Sequence, residues 1–155
     1  MDIISHGLWT NLVFKELPAE QKSLVIVFGI LPDVLSFSSV TLRHFFKRTM
    51  HFARPSLAVF PPYVFKIYNV THSLVIWLGA YMFFKLFGLN YWTLALYAWG
   101  LHILFDIFTH TKSFFPTPIF WPFSKFNFSG INWGNKWFMI FNYSVLLFMY
   151  LVFYF

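Results

Sequence analysis

The stretch "WFMIFNYSVLLFMYLVFYF", residues 137–155, runs its whole length without a charged side chain. At about 1.5 Å per helical residue it nearly matches the ~30 Å hydrocarbon core of a bilayer. Two more hydrophobic runs lie at about 67–87, "IYNVTHSLVIWLGAYMFFKLF", and at 91–110, ending in "HILFDIFTH", with Lys85 and Asp106 as their single charged side chains. Inside lipid every backbone N–H and C=O must be paired within the protein, which a helix does within its own segment. Composition agrees: 10% of the residues are charged, where a soluble domain carries about a quarter. The expected fold class is all-α, a polytopic transmembrane helix bundle of about four to five helices forming a single domain over residues 1–155.

The remaining segments set the expected topology. Residues 3–14, "IISHGLWTNLVF", are apolar but short of the ~20 residues a full span needs, so a short tilted or half-inserted helix is expected. If it does cross, the N-terminus lies inside. "KELPAEQK" (15–22) reads as a polar turn, and "SLVIVFGILPDVLSFSS" (23–39) as a second hydrophobic segment interrupted by "LPD". Residues 40–66 carry Arg43, Lys47, Arg48, Arg54 and Lys66 with no acid, and Pro55, Pro61 and Pro62 argue against a continuous helix through their second half. Residues 112–136 form a Pro-, Gly- and aromatic-rich connection with Lys112, Lys125 and Lys136. Basic loops stay on the cytoplasmic side, so both connections are expected there, with the 15–22 and 88–90 turns outside the cytoplasmic (inner) membrane. The formal charge of +6 then reflects topology and attraction to membrane lipids; no nucleic acid partner is expected. The opening residues lack a basic stretch, so no secretory signal is expected. Oligomeric state has no signature here. Without cysteine, disulfides are excluded and any metal must use nitrogen and oxygen ligands.

The hydrophobic segments hold a small set of ionisable residues. His102, Asp106 and His110 lie within about 80° of one another on one helix face. On the expected topology Asp33 sits about six residues from the inner end of the second span, and His72 about five residues into the third. His6 lies near the inner end of the first segment, so all six fall within about 12 Å of the cytoplasmic boundary. Each has an ordinary reading by itself: His6 at an interface, Asp33 capping a broken helix, His72 bonded to a carbonyl, His102 with Asp106 as a simple pair. Four imidazoles and two carboxylates together are a costly way to make helix contacts, and they are the ligand types a divalent metal selects. A metal site built from His6, Asp33, His72, His102, Asp106 and His110 is the expectation. His44 and His51, among the loop arginines, read as solvated. Arg43 and Lys112, at the inner boundary, are candidates for holding a substrate phosphate. Lys85 reads as snorkelling to the outer surface, and Trp121, Trp133 and Trp137 as an interfacial belt.

Taken in order, "SHG", "GILPD", "THS" and "HILFDIFTH" followed by "PTPIFWPFS" resemble the YdjM-type family of membrane-bound metal-dependent hydrolases, over His6 to Ser124. More distantly, the order His, Asp, His, H-x-x-x-D, His is similar to that of zinc-dependent phospholipase C enzymes. That likeness implies one metal held by Asp33, His72, His102 and Asp106. It further implies Asp106 bridging to a second metal near His6, with His110 at a further position. The second H-x-x-x-E helix of that superfamily is missing here, so one or two ions are expected rather than three.

A divalent metal, zinc or else manganese, acidifies water and stabilises the oxygens of a phosphoester in displacement. Asp33 is read either as the base that takes the water's proton or as a ligand. The leading expectation is a membrane-bound hydrolase acting at the cytoplasmic face on a lipid or phosphoester. The alternative is a metal or proton transporter using the same cluster as a transit site, and a third reading is a structural metal clasp.

Overall fold

A computed structural model describes residues 1–46 and 56–155; His51, with Lys47, Arg48 and Arg54, lies outside the described residues. The described chain is helical, in the order α1 (Ile3–Val13), α2 (Ala19–Phe46), α3 (Pro62–Thr71), α4 (Leu74–Leu86), α5 (Asn90–Thr109) and α6 (Lys136–Tyr154). Helices α2, α5 and α6 are long and apolar enough to cross a membrane, and α3 with α4 supplies a fourth span if the bent pair counts as one. The expected helix bundle is the fold observed.

Two boundaries differ from the sequence reading, each for a local reason. The "LPD" does not interrupt the second segment: α2 runs through Pro32 and on to Phe46, into residues read as loop. Pro32 removes the N–H that would bond the carbonyl four residues back, which loosens one turn without ending the helix. The Ser36 hydroxyl donates to the Pro32 carbonyl at 2.8 Å, re-bonding the next turn. The third run, by contrast, is broken. Its two halves meet at 52° because Ser73 begins a new helix, its Oγ accepting from the Val75 and Ile76 N–H groups at 3.2 and 3.4 Å. Serine is a favoured N-cap for this reason, and it leaves His72 as the residue that closes α3. The first segment is the short helix expected, below the length a span needs by itself. Helix α1 has 11 residues, a rise of about 16 Å and half a bilayer core.

Helix α1 packs closely on α2 where Gly29 meets Thr10: a Cβ on Gly29 would stand 2.3 Å from the Thr10 hydroxyl oxygen. Its other flank is tied to α6, with Trp9 Nε1 donating to Asn142 Oδ1 at 2.9 Å and Asn142 Nδ2 to Ser5 Oγ at 2.8 Å. Residues 112–136 are more than a connection. They fold back so that Gly130, Ile131 and Trp133 N–H groups donate to the carbonyls of His110, Phe108 and Thr109 at 2.7, 2.8 and 3.0 Å. These bonds satisfy carbonyls that the end of α5 leaves open. Gly130 is required there, since a Cβ would lie 2.1 Å from the Phe108 carbonyl oxygen.

Candidate metal centre

Three elements deliver four ionisable side chains to one point inside the bundle. The loosened turn of α2 brings Asp33, the α3–α4 break brings His72, and one face of α5 brings His102 and Asp106. All four are buried, and one ligand atom from each lies within 4.8 Å of every other. The His102 and His72 Nε2 atoms stand 3.1 Å apart. Asp106 Oδ2 is 3.3 Å from His72 Nε2 and 3.4 Å from His102 Nε2. Asp33 Oδ1 is 3.5 and 3.8 Å from the same two nitrogens. Ligands about 2.0–2.1 Å from a tetrahedral ion are separated by about 3.3–3.4 Å, so these edges are close to those of a coordination tetrahedron.

The proton positions on the imidazoles follow from their second nitrogens. His102 Nδ1 donates to the Gly29 carbonyl at 2.7 Å, in the turn that Pro32 opens. His72 Nδ1 donates to the Thr71 hydroxyl oxygen at 2.9 Å and faces the Tyr68 carbonyl at 3.2 Å. Thr71 in turn gives its own proton to the Ile67 carbonyl at 3.0 Å. A neutral imidazole carries one proton, so both Nε2 atoms present bare lone pairs to the cluster. Asp106 Oδ2 is buried without a hydrogen-bond donor. Lone pairs of two imidazoles and two carboxylates therefore face one another in a site shielded from water, an arrangement that a cation relieves. The donor set fits a divalent ion, and the group can hold one.

Asp106 faces two ways. Its Oδ1 lies 3.0 Å from His6 Nε2 and 3.4 Å from His110 Nε2, and it pairs with the Met1 amino group, which also lies 3.1 Å from His110 Nε2. The His110 Nδ1 donates to the Phe115 carbonyl at 2.8 Å, so its Nε2 also faces inward as an acceptor. His6 stacks on His102 with ring centroids 3.7 Å apart, and its Nδ1 has no hydrogen-bond partner. The structure thus brings together all six intramembrane residues singled out from the sequence, from α1, α2, the α3–α4 break and α5.

Several supporting residues had no sequence signal. The Tyr68 ring stacks on His72 at 3.9 Å, and its hydroxyl donates to the Phe115 carbonyl at 2.7 Å. Phe115 holds a left-handed φ of 45°, a costly conformation for a residue with a bulky side chain. That conformation lets one carbonyl receive both Tyr68 and His110. The Phe115 ring fills the layer formed with Val40, Val64, Tyr68, Phe37 and Phe60. Arg43 and Lys112 are not part of the cluster. Arg43 lies ten residues along α2 from Asp33, about 15 Å by helical rise, beside that aromatic layer. Lys112 is exposed in the turn after His110.

Compared with models of known families, with curated proteins and with solved structures, the chain matches none. What the fold and the site define is a membrane protein with a buried His/Asp group able to bind metal.

Proposed function

We propose that this protein is a membrane-bound metal-dependent hydrolase, of the YdjM type its motifs resemble, acting on a lipid or phosphoester at the cytoplasmic face of the inner membrane. The observation that carries the reading is the set of four electron-rich atoms at coordination spacing around Asp33, His72, His102 and Asp106. A divalent ion held there, zinc in this reading, supplies Lewis-acid polarisation of a phosphoryl oxygen and acidification of water. Asp33 is 8% exposed and Asp106 fully buried, so Asp33 is the carboxylate placed to exchange a proton with water. Asp106, with an oxygen toward each half of the cluster, holds the two halves in register. His6 and His110 with Asp106 Oδ1 offer a second position if the Met1 amino group paired there is displaced, which makes two ions the upper number.

A fixed site is favoured over a transit site by what the rest of the spans contain. Away from the cluster and apart from tyrosines, α4 carries only Lys85 near one end, and the interior of α6 carries no ionisable group. A relay across the bilayer needs such groups along its length. The deciding experiment pairs metal analysis of detergent-purified protein with release of phosphate or headgroup from phospholipids and isoprenoid phosphates. Bound metal and cleavage, both lost in His102→Ala and Asp33→Ala, are expected. Metal uptake into proteoliposomes that depends on His102, without cleavage of any substrate, replaces the hydrolase with a transporter.

A further inference from the structure

Arg43, near the end of α2, has no carboxylate partner among the described residues. The protein has five carboxylate side chains, and every one is engaged elsewhere. Asp2 accepts from the Ser5 N–H at 3.0 Å and the Tyr143 hydroxyl at 2.8 Å. Glu16 pairs with Lys15 at 3.2 Å, and Glu20 accepts from the Tyr91 hydroxyl at 3.3 Å. Asp33 and Asp106 belong to the metal centre. Between Asp33 and Asp106 the sequence contains no acid at all, while Arg43, Lys47, Arg48, Arg54, Lys66 and Lys85 fall in that interval.

Arg43 lines a cleft of about 210 Å³ together with Val40, His44, Val59, Pro61 and Tyr63. No ion pair joins Arg43 to any described residue. The volume is below the ~300–1,000 Å³ of clefts that engulf a whole small ligand, and suits a headgroup better than an entire lipid. Its polar members are a guanidinium, an imidazole and the Tyr63 hydroxyl, which lies 2.9 Å from Ser39 Oγ. A guanidinium presents a planar fork of donors that matches the geometry of a phosphate. The walls, Val40, Val59 and Pro61, are apolar.

The depth of the cleft selects the source of that phosphate. Helix α2 has 28 residues, about 42 Å, and so extends about 12 Å beyond a ~30 Å core. With Glu20 and Lys22 marking one boundary, the other falls near residue 40, and Arg43 lies in the headgroup layer. Exposed apolar side chains surround it: Leu42, Phe45, Phe46, Val59 and Tyr63. In water these would be a liability; at the edge of a bilayer they are an anchor.

We propose that the Arg43 cleft is a binding site for the headgroup phosphate of an anionic phospholipid, separate from the metal centre. The aromatic layer of Phe37, Phe60, Tyr68 and Phe115 stands between the two, so a lipid held here is a bound partner and not the molecule presented to Asp33.

The test uses the full chain, purified in detergent, delipidated and titrated with phosphatidylglycerol or phosphatidylcholine while bound lipid is counted by native mass spectrometry. Wild type is expected to retain phosphatidylglycerol in preference. Arg43→Gln is expected to lose about tenfold in affinity, and Arg43→Lys about threefold, because a lysine keeps the charge and loses the fork. Lys125→Gln, which removes an exposed charge outside the cleft, is expected to bind as wild type does. Metal content and elution volume are expected to be unchanged in all three variants, which separates this site from the centre. Equal weakening by Lys125→Gln overturns the proposal, since generic attraction then accounts for the binding. Unchanged affinity in Arg43→Gln overturns it as well. Displacement of the lipid by millimolar inorganic phosphate would make the ligand a soluble phosphate and overturn the lipid assignment.

Discussion

Gly29 couples the packing of α1 to the chemistry of the centre, and replacing it with alanine tests that coupling. The added Cβ would stand 2.3 Å from Thr10 Oγ1 and 3.0 Å from Thr10 Cβ, where 3.4 Å begins ordinary contact. The helices must therefore part by about an ångström, an overpacking that costs about 1–3 kcal/mol. The Gly29 carbonyl is also the acceptor for His102 Nδ1, at 2.7 Å. Where α2 is the helix that moves, a shift of that size away from α5 stretches the bond past hydrogen-bonding distance and frees the His102 ring to turn. Losing a partner of this kind lowers metal affinity by about 10–100-fold. Zinc affinity, measured by competition with a chromophoric chelator, is expected to fall by that factor in Gly29→Ala, together with a lowered melting temperature. Thr10→Gly, which removes all three crowding atoms, is expected to restore most of the affinity to the double variant. If Gly29→Ala binds zinc as tightly as wild type, the second-nitrogen bonds do not set the site. If Thr10→Gly fails to rescue, steric crowding is the wrong cause.

Other outcomes follow from the same geometry. Chelation of metal should lower the unfolding temperature, because an ion joining α2, the α3–α4 break and α5 stabilises by about 2.7 kcal/mol at a hundredfold excess over its dissociation constant; identical melting with and without chelator would argue against a clasp. Ser73→Ala removes both the α4 cap and the hydroxyl that donates to the Trp121 carbonyl at 2.6 Å. Its expected cost is about 1–2 kcal/mol, with weakened metal binding through His72, read by thermal unfolding and metal titration. Cysteines placed at Ser56 and Ser129, both exposed, should be shielded from an impermeant thiol reagent in intact cells and labelled in inverted vesicles. Labelling of either in intact cells reverses the proposed orientation.

The centre was legible because its residues are chemically conspicuous: ionisable side chains in apolar runs, spaced four apart on α5, need partners wherever they fall. The helical class was legible for the same thermodynamic reason, since uncharged runs of this length have few folded forms in lipid. What surrounds the centre was not legible. His102 and His110 rest on carbonyls of Gly29 and Phe115, and a backbone acceptor leaves no mark in the sequence. The break at His72 was hidden by the apolar residues on both sides, which read as one run until Ser73 is seen to cap. Pro32 misled in the opposite direction, because tertiary contacts carried α2 through it. Arg43 is a candidate for a substrate phosphate by its charge and its place at the inner boundary, and the aromatic layer along α2 and α3 that separates it from Asp33 has no mark in the sequence.

The fold-back of residues 112–136 makes the centre answerable to a segment outside the spans. Its backbone grips the end of α5 through Gly130, Ile131 and Trp133, and the start of α4 through the Ile119 and Trp121 carbonyls. Those two places carry His110 and His72. Tension or displacement anywhere along this strap is thus delivered to both imidazoles at once, as a bridle turns a bit from two sides. An insertion between Lys125 and Phe128 leaves slack and should be tolerated, whereas one between Phe115 and Trp121 lengthens the rein itself and should loosen the metal.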